Sequence, residues 1–118
     1  DLSKYVLLHS NHRPDLWNAW LASAGESRLA TREVARMEDS GLTYQAASDG
    51  MGIAIGEIGY IGEDIRLGRL VVPFDHVLIG DESYYLVYHA RKLSVPKFAA
   101  FRKWILSQAA ATRALAPA

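Results

Sequence analysis

The sequence predicts an α/β fold, an open Rossmann-like sheet with helices on its faces. Short apolar runs of strand length alternate along the chain with segments whose apolar residues recur at helical spacing. Glycines and prolines punctuate these segments, and no repeat or interdomain linker is visible. The chain has 118 residues, half of them apolar and 22% charged, which suits one small soluble domain.

The first third of the chain predicts a strand, a helix and a second strand. The apolar run 5–9 predicts a buried strand. Pro14 suits a first helical turn and Gly25 a helix end, so the apolar spacing between them predicts a helix over 14–24. Partial alternation over 29–37 predicts a strand with one face exposed to water.

The middle of the chain opens with a helix-start signal at Asp39–Gly41, because an Asp or Ser oxygen can accept the free N–H groups of a first turn. A short helix is predicted over 41–49, followed by a buried strand over 52–56. The glycine-punctuated stretch 57–68 predicts one irregular helical turn.

The last third of the chain predicts two more strands and a final helix. The strands are 69–72, which Pro73 ends, and 83–89, the strongest strand pattern in the sequence. Ser94 is predicted to cap the last helix. An apolar stripe marks that helix at Val95, Phe98, Phe101, Trp104 and Ile105. It is expected to be core, and the alternative that part of it is a subunit interface stays open. The alanine-rich tail, 110–118, is expected to fray.

Charge and composition exclude several function classes. Thirteen basic and thirteen acidic side chains cancel, whereas a domain that binds DNA phosphates by itself usually has a basic excess. The absence of cysteine excludes disulfides and thiolate metal sites, and fits the cytoplasm. No apolar run approaches the roughly 20 residues that span a bilayer, so no membrane partner is expected.

Seven short motifs occur in an order and spacing that resemble the effector-binding domain of LysR-type transcription regulators. The resemblance covers about 2–108 and is closest to the glycine-cleavage-activator-like branch. The motifs are Leu7-Leu8-His9, Arg13-Pro14-Asp15-Leu16-Trp17, Trp20-Leu21, the stretch 49–55, Gly68-Arg69-Leu70-Val71 with Pro73-Phe74, Tyr84-Tyr85-Leu86-Val87, and Phe98-x-x-Phe101-x-x-Trp104-Ile105.

The resemblance implies a lobe like those of type II periplasmic binding proteins, with a small polar or anionic effector held between two such lobes. Residues 1–88 would form the second lobe, and 89–109 would return to the first. The DNA-binding domain and most of the first lobe are expected to lie outside this sequence, so DNA would be contacted only through that domain. A missing opening strand would leave a sheet edge unpaired, which predicts a homodimer or higher homo-oligomer.

The first candidate effector site is the start of the 41–49 helix, where the resemblance places a ligand group. Free N–H groups and the positive helix end favour anions. Ser40 would donate its hydroxyl beside the N–H groups of Gly41 and Leu42, with Asp39 adjacent. The alternative, that Ser40 is only an N-cap, remains open.

The second candidate site is the end of the first strand, at His9, Ser10 and Asn11. Ligands of open α/β sheets bind beyond the carboxyl ends of the strands, although a plain polar loop would look the same. Tyr85 is a third candidate, which would reach the cleft from the return strand. Its alternative is a tyrosine buried in the core or on a sheet face.

No catalytic, metal or cofactor site is predicted. His9 and His12 have a metal-like spacing, but zinc sites need three or four ligands and no others are near in sequence. The glycines of 50–56 precede and include a strand instead of following one, which is the wrong context for a dinucleotide loop. The prediction is therefore a non-enzymatic ligand sensor, with a lobe of a solute-binding or transport-associated protein as the alternative.

Overall fold

The computed structural model describes residues 1–27 and 34–114, which divide into two compact units, Asp1–Leu78 and the residues from Ile79 onward. The order of helices and parallel strands confirms the α/β class. The elements are a 3-10 helix Leu2–Lys4, β1 (Leu7–Ser10), α1 (Leu16–Ser23), β2 (Val34–Met37), α2 (Ser40–Ser48), β3 (Ile53–Ala54), α3 (Ile58–Arg66), a 3-10 helix Ala90–Ser94 and α4 (Pro96–Ala114).

The first unit contains a parallel sheet of three strands in the order β2-β1-β3. Leu7 of β1 pairs with Val34 on one side and with Ile53 on the other. The crossovers through α1 and α2 run in opposite directions across the sheet, so right-handed connections place these helices on opposite faces. The predicted strand over 29–37 is confirmed at its end, and its residues 29–33 lie outside the described part of the chain.

The core lies between β1 and α1. Leu7 packs with Leu2, Trp17 and Leu21, all of them buried. The indole N–H of Trp17 donates to the carbonyl oxygen of Leu8 at 2.9 Å, so the large apolar ring is buried without leaving its polar atom unpaired. The aromatic residues of the predicted first helix are therefore core residues, with Trp20 partly buried beside them.

Helices α1 and α2 end at glycines, as predicted. Gly25 and Gly50 both have φ of +77°, a left-handed conformation in which a side chain would be strained. The N–H of the residue after each glycine donates to a carbonyl of the preceding turn, which closes the helix end. At the other end of α1 the prediction was wrong, because Pro14 lies in a turn and Asp15 occupies the N-cap position.

Helix α3 is regular where a single irregular turn was predicted. The two glycines inside it lower helix propensity, but its three isoleucines are partly buried, and Ile61 lies over Gly56. An ion pair between Glu63 and Arg66, one turn apart, adds local support. Tertiary packing has outweighed the weak intrinsic preference of the segment.

Neither of the two later strand predictions, 69–72 and 83–89, is confirmed: both segments lie outside helices and strands. A β-rich sequence forms a strand only when another strand accepts its backbone hydrogen bonds, and the described chain supplies none here. Val71 and Val87 are consequently 81% and 88% exposed.

The second unit is built around α4, which runs to Ala114, so residues 110–114 of the predicted frayed tail are helical and 115–118 lie outside the described chain. Ser94 does not cap this helix. Its hydroxyl donates to the carbonyl of Arg91 inside the 3-10 helix. The predicted core stripe was wrong in part: Phe98 is half-buried against Tyr88, whereas Phe101 and Trp104 are exposed.

Candidate functional site

The carboxyl edge of the parallel sheet brings the first two predicted site segments together. Strands β1 and β2 end side by side, since Ser10 is the register partner of Met37. The N–H of Asn11 donates to the carbonyl of Met37 at 2.9 Å, which joins the loops after the two strands. Because β1 lies between β2 and β3, the strand order reverses beside it, and ligands of open α/β sheets bind at such a point.

The start of α2 lies at this same edge. Asp39 is the N-cap, and its carboxylate accepts the N–H of Leu42 at 2.9 Å. Gly41 is adapted to this cap, since a Cβ added there would lie 3.2 Å from Asp39 Oδ1. Ser40 is the first helical residue and is half-buried. Its hydroxyl makes no hydrogen bond with the described residues. The alternative interpretation of Ser40 as a plain N-cap was therefore wrong, because Asp39 caps the helix.

The end of β1 holds three buried polar atoms that have no hydrogen-bonding partner among the described residues: both ring nitrogens of His9 and the hydroxyl oxygen of Ser10. Ser10 is only 7% exposed. A buried polar atom without a partner costs about 1–3 kcal/mol. Such atoms are rare in folded proteins, and each needs an explanation, for example a catalytic role or contact with a water, an ion or a ligand.

Burial favours the neutral form of the His9 side chain. Burial lowers the pKa of its imidazole below the ordinary value of 6.5, the positive charge of Arg36 lowers it further, and the nearby carbonyl of Pro14 opposes the shift. Its ring lies 6.2 Å from that of Trp17. Neutral imidazole offers one donor and one acceptor, so this strand end can bind either a hydrogen-bond acceptor or a hydrogen-bond donor of a ligand.

An ion pair at the β1–β3 side of the edge was missed by the sequence analysis. The guanidinium of Arg13, in the loop after β1, donates to the carboxylate of Glu57, before α3, at 2.6 Å. The N–H of Glu57 also donates to the hydroxyl of Tyr44 in α2, at 3.4 Å. Arg13 lies 44 positions from Glu57, and Tyr44 lies 13 positions from it. The strand order brings these residues together, and sequence spacing does not reveal that order.

Tyr85 lies in the second unit, outside any strand, and is 81% exposed, so the alternative of a buried core tyrosine was wrong. Its role in a ligand site remains a prediction. The described residues contain no cluster of three or more metal-binding His, Asp or Glu side chains. Across residues 1–27 and 34–114, no helix has the length and apolar character needed to cross a lipid bilayer.

Comparison with known proteins identifies relatives along nearly the whole chain. The sequence profile described as the LysR substrate binding domain matches residues 1–110. The glycine cleavage system transcriptional activator of Escherichia coli K12 is 37% identical over 111 residues, which cover 94% of this chain and 36% of that protein. The HTH-type transcriptional activator AmpR of Enterobacter cloacae is 30% identical over 110 residues, covering 92% and 37% of the two chains.

A third relative extends the same pattern. The HTH-type transcriptional regulator TrpI of Pseudomonas aeruginosa is 30% identical over 104 residues, covering 88% of this chain and 35% of its own. The chain thus spans about a third of the length of these curated relatives. No solved structure gave a significant match. The α/β fold and the profile match over residues 1–110 together show that this chain belongs to the LysR substrate-binding domain family.

Proposed function

We propose that this chain is the effector-sensing part of a LysR-type transcription regulator, and that a small polar molecule binds at the carboxyl edge of its sheet. The relatives are transcriptional activators and regulators, which supports this role over an enzyme or a solute-binding lobe. In this proposal the regulator acts in the cytoplasm as a homo-oligomer. DNA is bound by another part of the parent protein, because the charges of this chain balance.

The proposed architecture is a lobe like those of type II periplasmic binding proteins. The parallel sheet with helices on both faces supports it. We further propose that 1–88 form the second lobe of the parent sensing domain and that 89–109 return to the first. Effector binding between lobes would then favour one of two domain arrangements, which is how a ligand can shift a regulator between states.

The observation that carries the site proposal is the set of unpartnered polar atoms of His9 and Ser10 at the end of the central strand. They lie at the edge where α2 begins and where the strand order reverses. Structural roles do not account for all three atoms, because within the described chain neither side chain caps a helix, and the interaction of the His9 ring with the carbonyl of Pro14 involves at most one of them. A ligand with hydrogen-bonding groups would satisfy them.

The cap at Asp39 narrows the chemistry of the ligand. A bare helix N-terminus favours anions, but here a carboxylate already accepts a hydrogen bond in the first turn. A second anionic group beside Asp39 would be repelled. The hydroxyl of Ser40 and the amide of Gly41 therefore suit a carbonyl, hydroxyl or amide group of the effector. A carboxylate group of the effector would lie nearer to Arg13, whose guanidinium would then bind the effector in place of Glu57.

Ser40→Ala in the full-length regulator tests this assignment. The substitution removes a ligand hydrogen bond worth about 0.5–1.5 kcal/mol, so the effector concentration for half-maximal induction of a reporter gene should rise roughly 2- to 10-fold. Ser48→Ala is the matched control, since Ser48 is also half-buried and lies at the other end of α2. It should leave induction unchanged.

Equal responses of the Ser40 and Ser48 variants would refute a ligand role for Ser40. Loss of stability does not obscure the result, because Asp39 still caps the helix in both variants. The coding sequence upstream of this chain distinguishes a transcription regulator from a solute-binding protein as the parent. A helix-turn-helix segment agrees with the regulator, whereas a secretion signal would contradict it and favour a solute-binding protein.

A further inference from the structure

The chain is attached to α1 close to the end of the first unit, which is at Leu78. The indole N–H of Trp20 donates to the carbonyl of His76 at 3.3 Å, and the hydroxyl of Ser23 lies 2.7 Å from Nε2 of the same histidine. The His76 ring also packs edge-on against Trp20, with centroids 5.3 Å apart. Trp20, Ser23 and His76 together are called the clamp below.

The clamp fixes the position of a proton on His76. The hydroxyl of Ser23 donates its own proton to the carbonyl of Trp20 at 2.7 Å, so towards His76 it acts as an acceptor. Nε2 of His76 therefore carries a proton when the clamp is closed. Ser23 is exposed, and 3.3 Å is long for an N–H···O hydrogen bond. Attachments of this kind open at a lower free energy than the core does.

A row of packed rings connects the proposed ligand site with the clamp. The ring of His9 lies 6.2 Å from that of Trp17, which meets the ring of Trp20 edge-on at 6.0 Å. Trp17 is buried and is tied to β1 by its hydrogen bond to the carbonyl of Leu8. The aromatic row, which consists of His9, Trp17, Trp20 and His76, thus runs from the end of β1 to the end of the unit.

The two ends of the aromatic row supply what a coupling between distant positions requires. At one end, at least one ring nitrogen of His9 has no hydrogen-bonding partner among the described residues, so a ligand that binds there would restrict the ring. At the other end, the clamp has two arrangements, closed on α1 or open. Coupling needs such a two-state element, because contact between side chains is not sufficient by itself.

We propose that the aromatic row couples His9 to the clamp, so that a ligand which fixes the His9 ring tightens the hold on His76. The ligand makes no contact with the clamp. It reduces the motion of Trp17 and Trp20 that clamp closure must otherwise remove. The chain before Ile79, where the second unit begins, is then held more firmly on α1 when the site is filled. This inference rests on the proposed function and assigns a regulatory consequence to the same site.

Ser23→Ala tests the clamp in the complete sensing domain of the parent regulator, with both lobes present. Loss of one hydrogen bond should raise the ratio of open to closed clamp roughly 2- to 10-fold. In NMR spectra at constant pH, the ring protons of His76, which the Trp20 ring shifts in the closed clamp, should move toward the positions of a histidine in water. Ser107→Ala is the matched control, because the exposed Ser107 also donates to a tryptophan carbonyl, that of Trp104, at 2.7 Å.

His9→Asn tests the aromatic row in the same domain. The substitution removes the ring that packs on Trp17, so the clamp should open and the His76 signals should move in the same direction as in Ser23→Ala. His12→Asn, at an exposed position in the loop after β1, should leave these signals unchanged. Unmoved His76 signals in the His9→Asn domain, or equal shifts in Ser23→Ala and Ser107→Ala, would overturn the proposal.

Acetamide is the ligand probe, because its carbonyl and amide groups match the donor and the acceptor of a neutral imidazole. At saturation it should shift the His76 signals opposite to the change seen in His9→Asn, and it should not shift them in the His9→Asn domain itself. If acetamide shifts the amide signal of Ser10 but not the His76 signals, the aromatic row carries no coupling and the proposal is wrong. If acetamide shifts neither while His9→Asn still moves His76, the coupling stands and the ligand site is contradicted.

Discussion

His9 keeps two ring nitrogens in the interior of the protein, at the end of the central strand. Burial and the positive charge of Arg36 lower the pKa of this imidazole, which favours its neutral form. The unfolded chain exposes the same ring to water, where its pKa returns to about 6.5. Folding stability must therefore change with pH in the range below this value.

The sign of that change follows from proton uptake. As pH falls below about 6.5, the unfolded chain binds a proton that folded His9 resists, so the contribution of His9 to stability is complete above this pH and declines below it. His9→Asn should reduce the loss of unfolding free energy between about pH 7.5 and 5.5, measured by urea denaturation. His12→Asn, at an exposed position, should keep the wild-type loss. The same pH dependence in wild type and His9→Asn would contradict this account.

At the residue scale, the sequence indicated where polar side chains gather but not what each one does. His9 and Ser10 followed from the rule that ligands bind beyond strand ends. The choice between Asp39 and Ser40 as the cap depended on one backbone position, which composition cannot determine. Arg13 could not be assigned, because its partner Glu57 is 44 residues away.

Helices were more predictable than strands, for a physical reason. A helix satisfies its hydrogen bonds within one segment, so α1 and α2 followed from local spacing and their terminal glycines. A strand needs a neighbour. The segments 69–72 and 83–89 have strand-like side chains, but the described chain offers no partner, and periodicity alone cannot report that. The length of helix α3 was underestimated because its two glycines lower helix propensity, and spacing alone does not show that its isoleucines are partly buried.

The spacing between β1 and β3 depends on Gly52. A Cβ at this position would collide with the carbonyl of Val6, which accepts the backbone N–H of Ile53 at 2.9 Å, and would lie 3.2 Å from Cγ of Leu8. Gly52→Ala should therefore lower the free energy of unfolding by about 1–3 kcal/mol in urea denaturation, because the strands must separate.

Gly62→Ala is the same chemical change, but it is expected to have the opposite effect on the free energy of unfolding. Gly62 lies inside α3, and an added Cβ meets nothing within 4 Å. Alanine there should raise stability by about 0.5–1 kcal/mol through helix propensity. Two substitutions of equal sign and size would show that Gly52 does not control the strand spacing.

At the scale of the whole chain, the proposed site lies within one of the two compact units. The unit Asp1–Leu78 contains the sheet edge with His9, Ser10 and the start of α2, and the second unit contains α4. Family membership rests on the profile match and the relatives. The site rests on polar atoms that the fold buries and leaves unpartnered.

The most direct test of the central claim is a heteronuclear NMR titration of the complete sensing domain of the parent regulator, with both lobes present, against a panel of amino acids and small carboxylic acids, amides and alcohols. We expect at least one compound to bind saturably and to shift the amide signals of Ser10, Ser40 and Gly41, with weaker binding to Ser10→Ala and unchanged binding to Ser48→Ala. Saturable binding that shifts signals elsewhere, or no binding by any member of the panel at millimolar concentration, would contradict an effector site at the carboxyl edge of the sheet.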